Sequence, residues 1–196
     1  MGWRVPNGIL VAGLSAVLAV SCGPVANEGV SEVTTIHVTS TLDAAAQPCL
    51  FIEARGAEPR PLLVFLHTWS NGYDLDTQRW RDEAATYHWH FLQPHFRGPN
   101  TTPEACASPL ARQDILDAVE HVLQRYAVDP QRVYLAGESG GGHMTLVMAA
   151  HAPERWAAAS AWCGIADLAA WHRESAEAGN KYARDIELCV GGIPGA

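Results

Sequence analysis

The sequence predicts an α/β fold in which a mostly parallel β-sheet carries helices on both faces. From residue 33 onward, stretches with the pattern of strands alternate with stretches with the pattern of helices, an order typical of parallel sheets. Residues 61–66 form a continuous apolar run, which indicates a strand that is buried on both faces. These two observations predict the fold class.

The individual elements follow in chain order. The most regular helix is predicted at residues 109–126, with Ser108 as its N-cap, Pro109 in its first turn and one apolar face at helical spacing. A turn is predicted over residues 43–48. Two further helices are predicted at residues 76–87 and from Met144 to about His151. Strands are predicted at residues 33–39, 49–53, 61–66, 89–94, 132–137 and 157–163.

The first residues have the pattern of a secretory signal. Arg4 is followed by an apolar run over residues 9–20, which is too short for a permanent membrane span. The small residues before Cys22 also resemble a bacterial lipoprotein processing site, at which Cys22 would be lipidated; an ordinary signal peptide cut nearby is the alternative. Residues 1–22 are therefore interpreted as a signal, 23–32 as a tether and 33–196 as the domain. We expect an exported protein, either periplasmic or at the cell surface. If Cys22 is lipidated, the protein would be anchored to the membrane by that lipid.

Composition excludes several function classes. The formal net charge is -8 and basic clusters are lacking, which argues against nucleic-acid binding. Beyond Cys22 there are four cysteines, and none forms a C-x-x-C pair, so a zinc site is not predicted. After export they would permit two disulfides in three connectivities, and buried free thiols are an equal alternative. Three histidines at positions 88, 90 and 95 lack an acidic partner nearby, and no metal site is predicted.

One motif in the sequence is typical of a catalytic serine. Residues Gly137-Glu138-Ser139-Gly140-Gly141 fit the pattern G-x-S-x-G, between a predicted strand and a predicted helix. In this context the serine stands at a sharp, strained turn, and the glycines relieve the crowding around it. The first amides of the helix then point toward an oxyanion formed at the serine. A phosphate-binding loop is excluded, because no Lys-Ser/Thr pair follows the glycines.

With this motif, residues 33–196 resemble an α/β-hydrolase. More narrowly, they resemble the catalytic domain of the prolyl oligopeptidase family and its esterase relatives. Supporting stretches are residues 63–70, 97–100 and 162–167. The resemblance implies an exported serine hydrolase of the prolyl-oligopeptidase-like peptidase type, needing no cofactor and acting on a small peptide or ester. The alternatives are a carboxylesterase of the acetyl, feruloyl or carbohydrate type, and a catalytically dead hydrolase fold.

The resemblance also implies roles for single residues. Ser139 would be the nucleophile and the amide of Gly140 one oxyanion donor. Many relatives carry His-Gly where this chain has His67-Thr68, so the second donor is either Thr68 or Trp69. Glu138 would contact a substrate amine, or else be a solvated loop charge. Tryptophans at the ends of strands, Trp69 and Trp162, would stack on a substrate ring, or else pack in the core.

The general acid and base are less well defined. In the α/β-hydrolase fold the catalytic residues follow the order Ser, Asp or Glu, then His, on loops after later strands. Asp167 is a candidate acid, since it follows the strand at 157–163. His143 is assigned to packing, and His172 lies only five residues past Asp167. The sequence is therefore interpreted as a partial hydrolase domain whose last strands, acid and base are missing, and which would be inactive alone.

Overall fold

The computed structural model describes residues 32–195. The predicted signal, the lipidation site at Cys22 and nearly all of the tether lie outside this range. Among the residues described, no helix is both long and apolar enough to cross a membrane.

Six strands form one sheet in the order β1-β2-β4-β3-β5-β6. The strands β4, β3, β5 and β6 run parallel to one another, whereas β2 runs antiparallel to both β1 and β4. The strands are β1 (Val33–Thr39), β2 (Ala46–Ile52), β3 (Arg60–Leu66), β4 (His90–Pro94), β5 (Val128–Glu138) and β6 (Ala158–Trp162). The helices are α1 (Gln78–Thr86), α2 (Pro109–Arg125), α3 (Gly140–His151), α4 (Leu168–Glu177) and α5 (Tyr182–Val190).

Side chains of β3 alternate between the two faces of the sheet, as strand geometry requires. Leu62, Val64 and Leu66 pack with apolar residues of α2 and α3 in one core. Leu63 and Phe65 face the other way, toward α1, in a second core. The continuous apolar run in β3 is therefore explained, and the prediction of helices on both faces of a mostly parallel sheet is confirmed.

Two strand boundaries differ from the prediction. The turn after β1 closes earlier than expected, through a hydrogen bond from the Ser40 amide to the Ala45 carbonyl, so β2 begins at Ala46 instead of Cys49. Within it, Pro48 pairs with His37 of β1. Strand β5 begins at Val128 instead of Arg132, because Val128 already pairs with Arg60 across an irregularity in the ladder. Local turn signals at Pro48 and Pro130 were outweighed by pairing with neighbouring strands.

Helices α4 and α5 were not predicted. Asp167 caps α4 by accepting a hydrogen bond from the Ala170 amide at 2.9 Å, and α5 ends at Gly191, which has φ 79°. Apolar residues of both helices pack around Trp69 in a third core. The helical spacing of Tyr182, Ile186 and Cys189, at i, i+4 and i+7, was the sequence signal for α5.

A buried ion pair fixes the loop after β4. Arg97 binds the carboxylate of Asp114 on α2 through Nε at 2.5 Å and through Nη2 at 3.2 Å. It also binds Asp43 in the turn after β1, at 2.8 Å. The Asp114 side chain is only 1% exposed and that of Asp43 37%. Arg97 thus ties the loop to both the helix and the turn, while its own backbone has φ 76°.

We expect Asp114→Asn to destabilise the fold strongly. The variant removes the buried carboxylate and leaves Arg97 with the more exposed Asp43 as its ion-pair partner, and loss of a buried partner costs about 3 kcal/mol. Asp43→Asn is the matched control, and its effect should be smaller because the exposed carboxylate of Asp43 is screened by water. Urea denaturation of the two variants and the wild type measures both effects. Equal losses from the two variants would contradict this assignment.

Candidate active site

Ser139 lies at the turn between β5 and α3, as the N-cap residue of the helix. Its backbone has φ 57° and ψ -115°, a conformation that costs free energy for any residue with a β-carbon. The Ser139 amide donates to the carbonyl of Trp162 at 2.8 Å, and its carbonyl accepts from the His143 amide at 2.9 Å. These two bonds hold the strained turn between the end of β6 and the first turn of α3.

Glycines in the motif allow the turn to pack tightly. A β-carbon on Gly137 would come within 2.7 Å of Oγ1 of Thr145, and one on Gly141 within 2.7 Å of the His67 carbonyl oxygen. Neither separation is tolerated by real side chains. The first turn of α3 therefore lies directly against the end of β3, and only glycine fits at these two positions.

Two backbone amides meet at the serine. A β-carbon on Gly140 would lie 2.5 Å from the amide nitrogen of Trp69, so the two residues are in backbone contact. Within residues 32–195, neither the Gly140 nor the Trp69 amide has a hydrogen-bond partner. Thr68 lies one residue earlier, and its carbonyl accepts a hydrogen bond from the Asn71 amide at 3.3 Å. The geometry favours Trp69 over Thr68 as the companion of Gly140.

The loop that carries Trp69 is anchored by a buried histidine. Nε2 of His67 donates to the carbonyl of His95 at 2.8 Å, and its ring stacks on Phe96 at 4.0 Å between centroids. The carbonyl of Trp69 accepts from the Asn100 amide at 2.8 Å. The loop after β3 is thereby fixed to the loop after β4 on both sides of Trp69.

A cleft opens beside the serine turn, with a volume of about 280 Å³. Thr68, Glu138 and Trp162 line one part of it and the start of α1 the other. Glu138 is exposed, beside the nucleophile candidate. The Trp162 side chain is 44% exposed, and the guanidinium of Arg79 lies 5.5 Å above its ring. Of the strand-end tryptophans, Trp162 borders this cleft.

Trp69 does not border the cleft. It is 1% exposed, and its ring meets Trp171 edge-on at 4.9 Å between centroids. The prediction that the Trp69 ring stacks on a ligand is therefore wrong, because α4 and α5 cover it. Its backbone lies against the serine turn at Gly140.

Two of the histidines that follow the serine, His143 and His172, form hydrogen bonds with other groups. Nδ1 of His143 lies 2.8 Å from the Ile165 carbonyl oxygen, and burial lowers the pKa of this imidazole. Nε2 of His172 lies 3.0 Å from Oε1 of Glu187, and this hydrogen bond lowers the pKa of Glu187. The packing role expected for His143 agrees with its position between Trp69 and Ile165.

Asp167, the candidate acid, is exposed and uses Oδ1 to cap α4. In the part of the chain that the structure describes, no histidine is hydrogen-bonded to it. The structure brings together Ser139, Gly140 and Trp69, but it does not bring Asp167 to them through any hydrogen bond. A helix cap is thus the role that the contacts of Asp167 support.

Of the three histidines at positions 88, 90 and 95, His90 is held by two backbone contacts. Nδ1 of His90 accepts from the Ala54 amide at 3.0 Å, and its Nε2 lies 3.1 Å from the Ala127 carbonyl oxygen. Among residues 32–195 there is no group of three or more His, Cys, Asp or Glu side chains placed to hold a metal ion.

Solved structures share this arrangement of strands and helices. The serine hydrolase FphF of Staphylococcus aureus, a fluorophosphonate-binding protein, superposes with a TM-score of 0.68 at 16% identity, over 86% of this chain and 70% of that one. The chain has an α/β-hydrolase fold.

Sequence comparison places this α/β-hydrolase near peptidases and esterases. Residues 111–187 match the prolyl oligopeptidase family, which confirms the resemblance predicted from the serine motif. Over 52 residues the chain is 42% identical to an acetylxylan esterase of Coprinopsis cinerea and 44% identical to feruloyl esterase B of Neurospora crassa. The aligned stretch is 26% of this chain, and it spans 14% and 18% of the two esterases.

His67 should make the stability of this α/β-hydrolase depend on pH. Burial lowers the pKa of His67 from 6.5 to about 4. As the pH falls through this range the unfolded chain binds the proton before the folded chain does, so the folded state loses up to about 3 kcal/mol between pH 6.5 and pH 4. The loss is measured by urea denaturation across this range.

His67→Gln is the matched variant, since its amide can donate to the His95 carbonyl but does not titrate. We expect the stability of this variant to fall less steeply over the same pH range. The contributions of the other titrating groups are common to both proteins. Parallel pH profiles of the two proteins would show that His67 is not the titrating group.

Proposed function

We propose that the protein is an exported serine hydrolase in which Ser139 attacks the carbonyl carbon of an ester or peptide bond. The observation that carries the proposal is the strained turn at Ser139, which presents its hydroxyl between β5 and the N-terminus of α3. The family match at residues 111–187 supports the same class of chemistry.

The two neighbouring amides give the attack its electrostatic support. As the Ser139 oxygen bonds to the carbonyl carbon, negative charge develops on the carbonyl oxygen, and the amides of Gly140 and Trp69 would donate to it. Such preorganised donors stabilise the transition state more than the substrate. A base takes the serine proton, the alcohol or amine leaves, and water then releases the acyl group.

Esterase and peptidase activity rest on different observations. The family match favours a peptidase of the prolyl oligopeptidase type. The two curated relatives favour a carboxylesterase that removes acetyl or feruloyl groups. The serine turn serves both, because the acyl chemistry is shared. Glu138, exposed at the cleft, would receive the amine of a peptide substrate.

A substrate panel separates these two candidates. The protein expressed from its gene is assayed with p-nitrophenyl acetate, methyl ferulate and Xaa-Pro amides, beside its Ser139→Ala variant. Cleavage of the esters alone favours the esterase, and cleavage of the Xaa-Pro amides favours the peptidase. Activity that persists in Ser139→Ala would refute the assignment of Ser139.

Reaction with a fluorophosphonate probe should be slow in the 196-residue chain, and confined to Ser139. His143 binds Ile165 and His172 binds Glu187, and within residues 32–195 no histidine is hydrogen-bonded to the Ser139 hydroxyl. Loss of the histidine base from a serine triad lowers the rate about 10⁶-fold. Labelling is followed by mass spectrometry with Ser139→Ala as the control. Rapid labelling that His143→Ala or His172→Ala abolishes would contradict this expectation.

Export and lipidation are part of the proposal. The apolar run and the small residues before Cys22 support them. In a bacterial host, labelled palmitate should be incorporated at Cys22 and the protein should fractionate with membranes, whereas Cys22→Ala should carry no label. Unlabelled protein free in the medium would leave an ordinary signal peptide as the explanation.

A further inference from the structure

Helices α4 and α5 form a cover over the loop that carries Trp69. Ile186 and Cys189 of α5 are buried against Trp69, and Trp171 of α4 packs beside them. A polar contact adds to this core, since Nζ of Lys181 donates to Oγ of Ser70 at 2.8 Å. The position of the Trp69 backbone at the serine turn therefore depends on where α5 lies.

Cys106 comes to the same core from another part of the chain. It lies in the loop before α2, and it packs on the cluster formed by Trp69, Ile186 and Cys189. The thiol groups of Cys106 and Cys189 lie next to each other and interact. The two cysteines are 83 positions apart in sequence, so the fold itself brings these thiols together.

A chain of hydrogen bonds links Cys106 to Trp69. The Cys106 amide donates to Oδ1 of Asn100 at 2.7 Å, and the Asn100 amide donates to the Trp69 carbonyl at 2.8 Å. Cys106 and Ala107 both have positive φ, at 44° and 62°, so this loop is held in a strained conformation. Cys106 thus approaches Trp69 through the backbone, while Cys189 approaches it through α5.

We propose that Cys106 and Cys189 form a disulfide bond that fastens α5 over Trp69 and the serine turn. The Sγ–Sγ bond forms as the two thiols lose their two hydrogen atoms, as two protons and two electrons, to an oxidant of the disulfide class such as oxidised glutathione. That oxidant is reduced to two thiols in the exchange. An exported protein would meet such conditions.

The environment of the two thiols suits this exchange. The contact with Cys106 lowers the pKa of the Cys189 thiol, and the contact with Cys189 raises that of Cys106. Whichever of the two thiols ionises attacks the oxidant, because the thiolate is the reactive form. Burial in β2 raises the pKa of Cys49 to about 12, which leaves it unreactive. Cys163 is exposed at the end of β6 and is outside the Trp69 core.

The bond is tested by mapping it in the 196-residue protein. The chain is oxidised with a glutathione buffer, its free thiols are blocked with N-ethylmaleimide in denaturant, and its peptides are analysed by mass spectrometry. We expect one linked peptide pair containing Cys106 and Cys189, with the blocking group on Cys49 and Cys163. Blocking groups on both Cys106 and Cys189, or a bond from either to another cysteine, would overturn the pairing.

The fastening role has its own measurement. A disulfide that closes a long loop stabilises a domain of this size, so reduction with dithiothreitol should lower Tm by about 10 °C. Cys106→Ser, Cys189→Ser and the double variant should all melt near the reduced wild type and respond little to the reductant. Cys163→Ser is the matched control, and it should keep the full response.

A Tm that does not change on reduction would overturn the fastening role even if the bond is found. The fastening role would also be overturned if the decrease in Tm of the double variant equalled the sum of the decreases of the two single variants. Either substitution alone removes the one bond, so the two decreases should not add. Where a serine variant does not fold, the comparison of oxidised and reduced wild type decides the result.

Discussion

The close approach of two backbones, at Gly140–Gly141 and at the loop after β3, is the constraint on which the rest of the site depends. Helix α3 begins in direct contact with this loop, and any side chain on Gly141 would collide with the His67 carbonyl. Because the contact is made by backbone, it fixes amide positions more firmly than a contact between flexible side chains would. The strained turn at Ser139 and the Trp69 amide, which has no hydrogen-bond partner among residues 32–195, both lie at this contact.

Several strained residues lie at the edge of the sheet where the parallel strands end. Residues with positive φ follow β4 at Phe96 and Arg97, β5 at Ser139 and β6 at Cys163. Each such conformation costs about 1–3 kcal/mol and persists only where surrounding contacts determine it. Around Arg97 the contact is the buried pair with Asp114. At Ser139 it is the bond from its amide to Trp162. The contacts that stabilise the fold at this edge therefore also hold the candidate site in its conformation.

The sequence predicted those features that depend on local patterns. The apolar run of β3 and the apolar face of α2 identified a parallel sheet with helices on both faces, because burial imposes these periodicities directly. The motif around Ser139 located the turn, because glycine is required on both sides of it. The start of β2 was missed, since strand pairing outweighs the turn signal of Pro48.

Features that depend on contacts between distant segments were not predictable in this way. Helices α4 and α5 are short, and their apolar residues pack on Trp69, which lies in a distant part of the sequence. The sequence therefore left two roles open for the Trp69 ring, stacking on a ligand or packing in the core, and the structure buries the ring with its backbone against Gly140. The choice between Thr68 and Trp69 likewise required the position of one backbone relative to another.

The burial of Trp69 determines which residues of the site hold the backbone in place and which are left to contact a substrate. A tryptophan ring that is 1% exposed cannot select a substrate, but it holds its own backbone in place because the large apolar ring is costly to expose. The half-exposed ring of Trp162 and the carboxylate of Glu138 line the cleft, and under the proposed function they would contact the substrate. Substitutions at Trp69 should therefore act through the geometry of the amide pair, and those at Trp162 through the fit of the substrate.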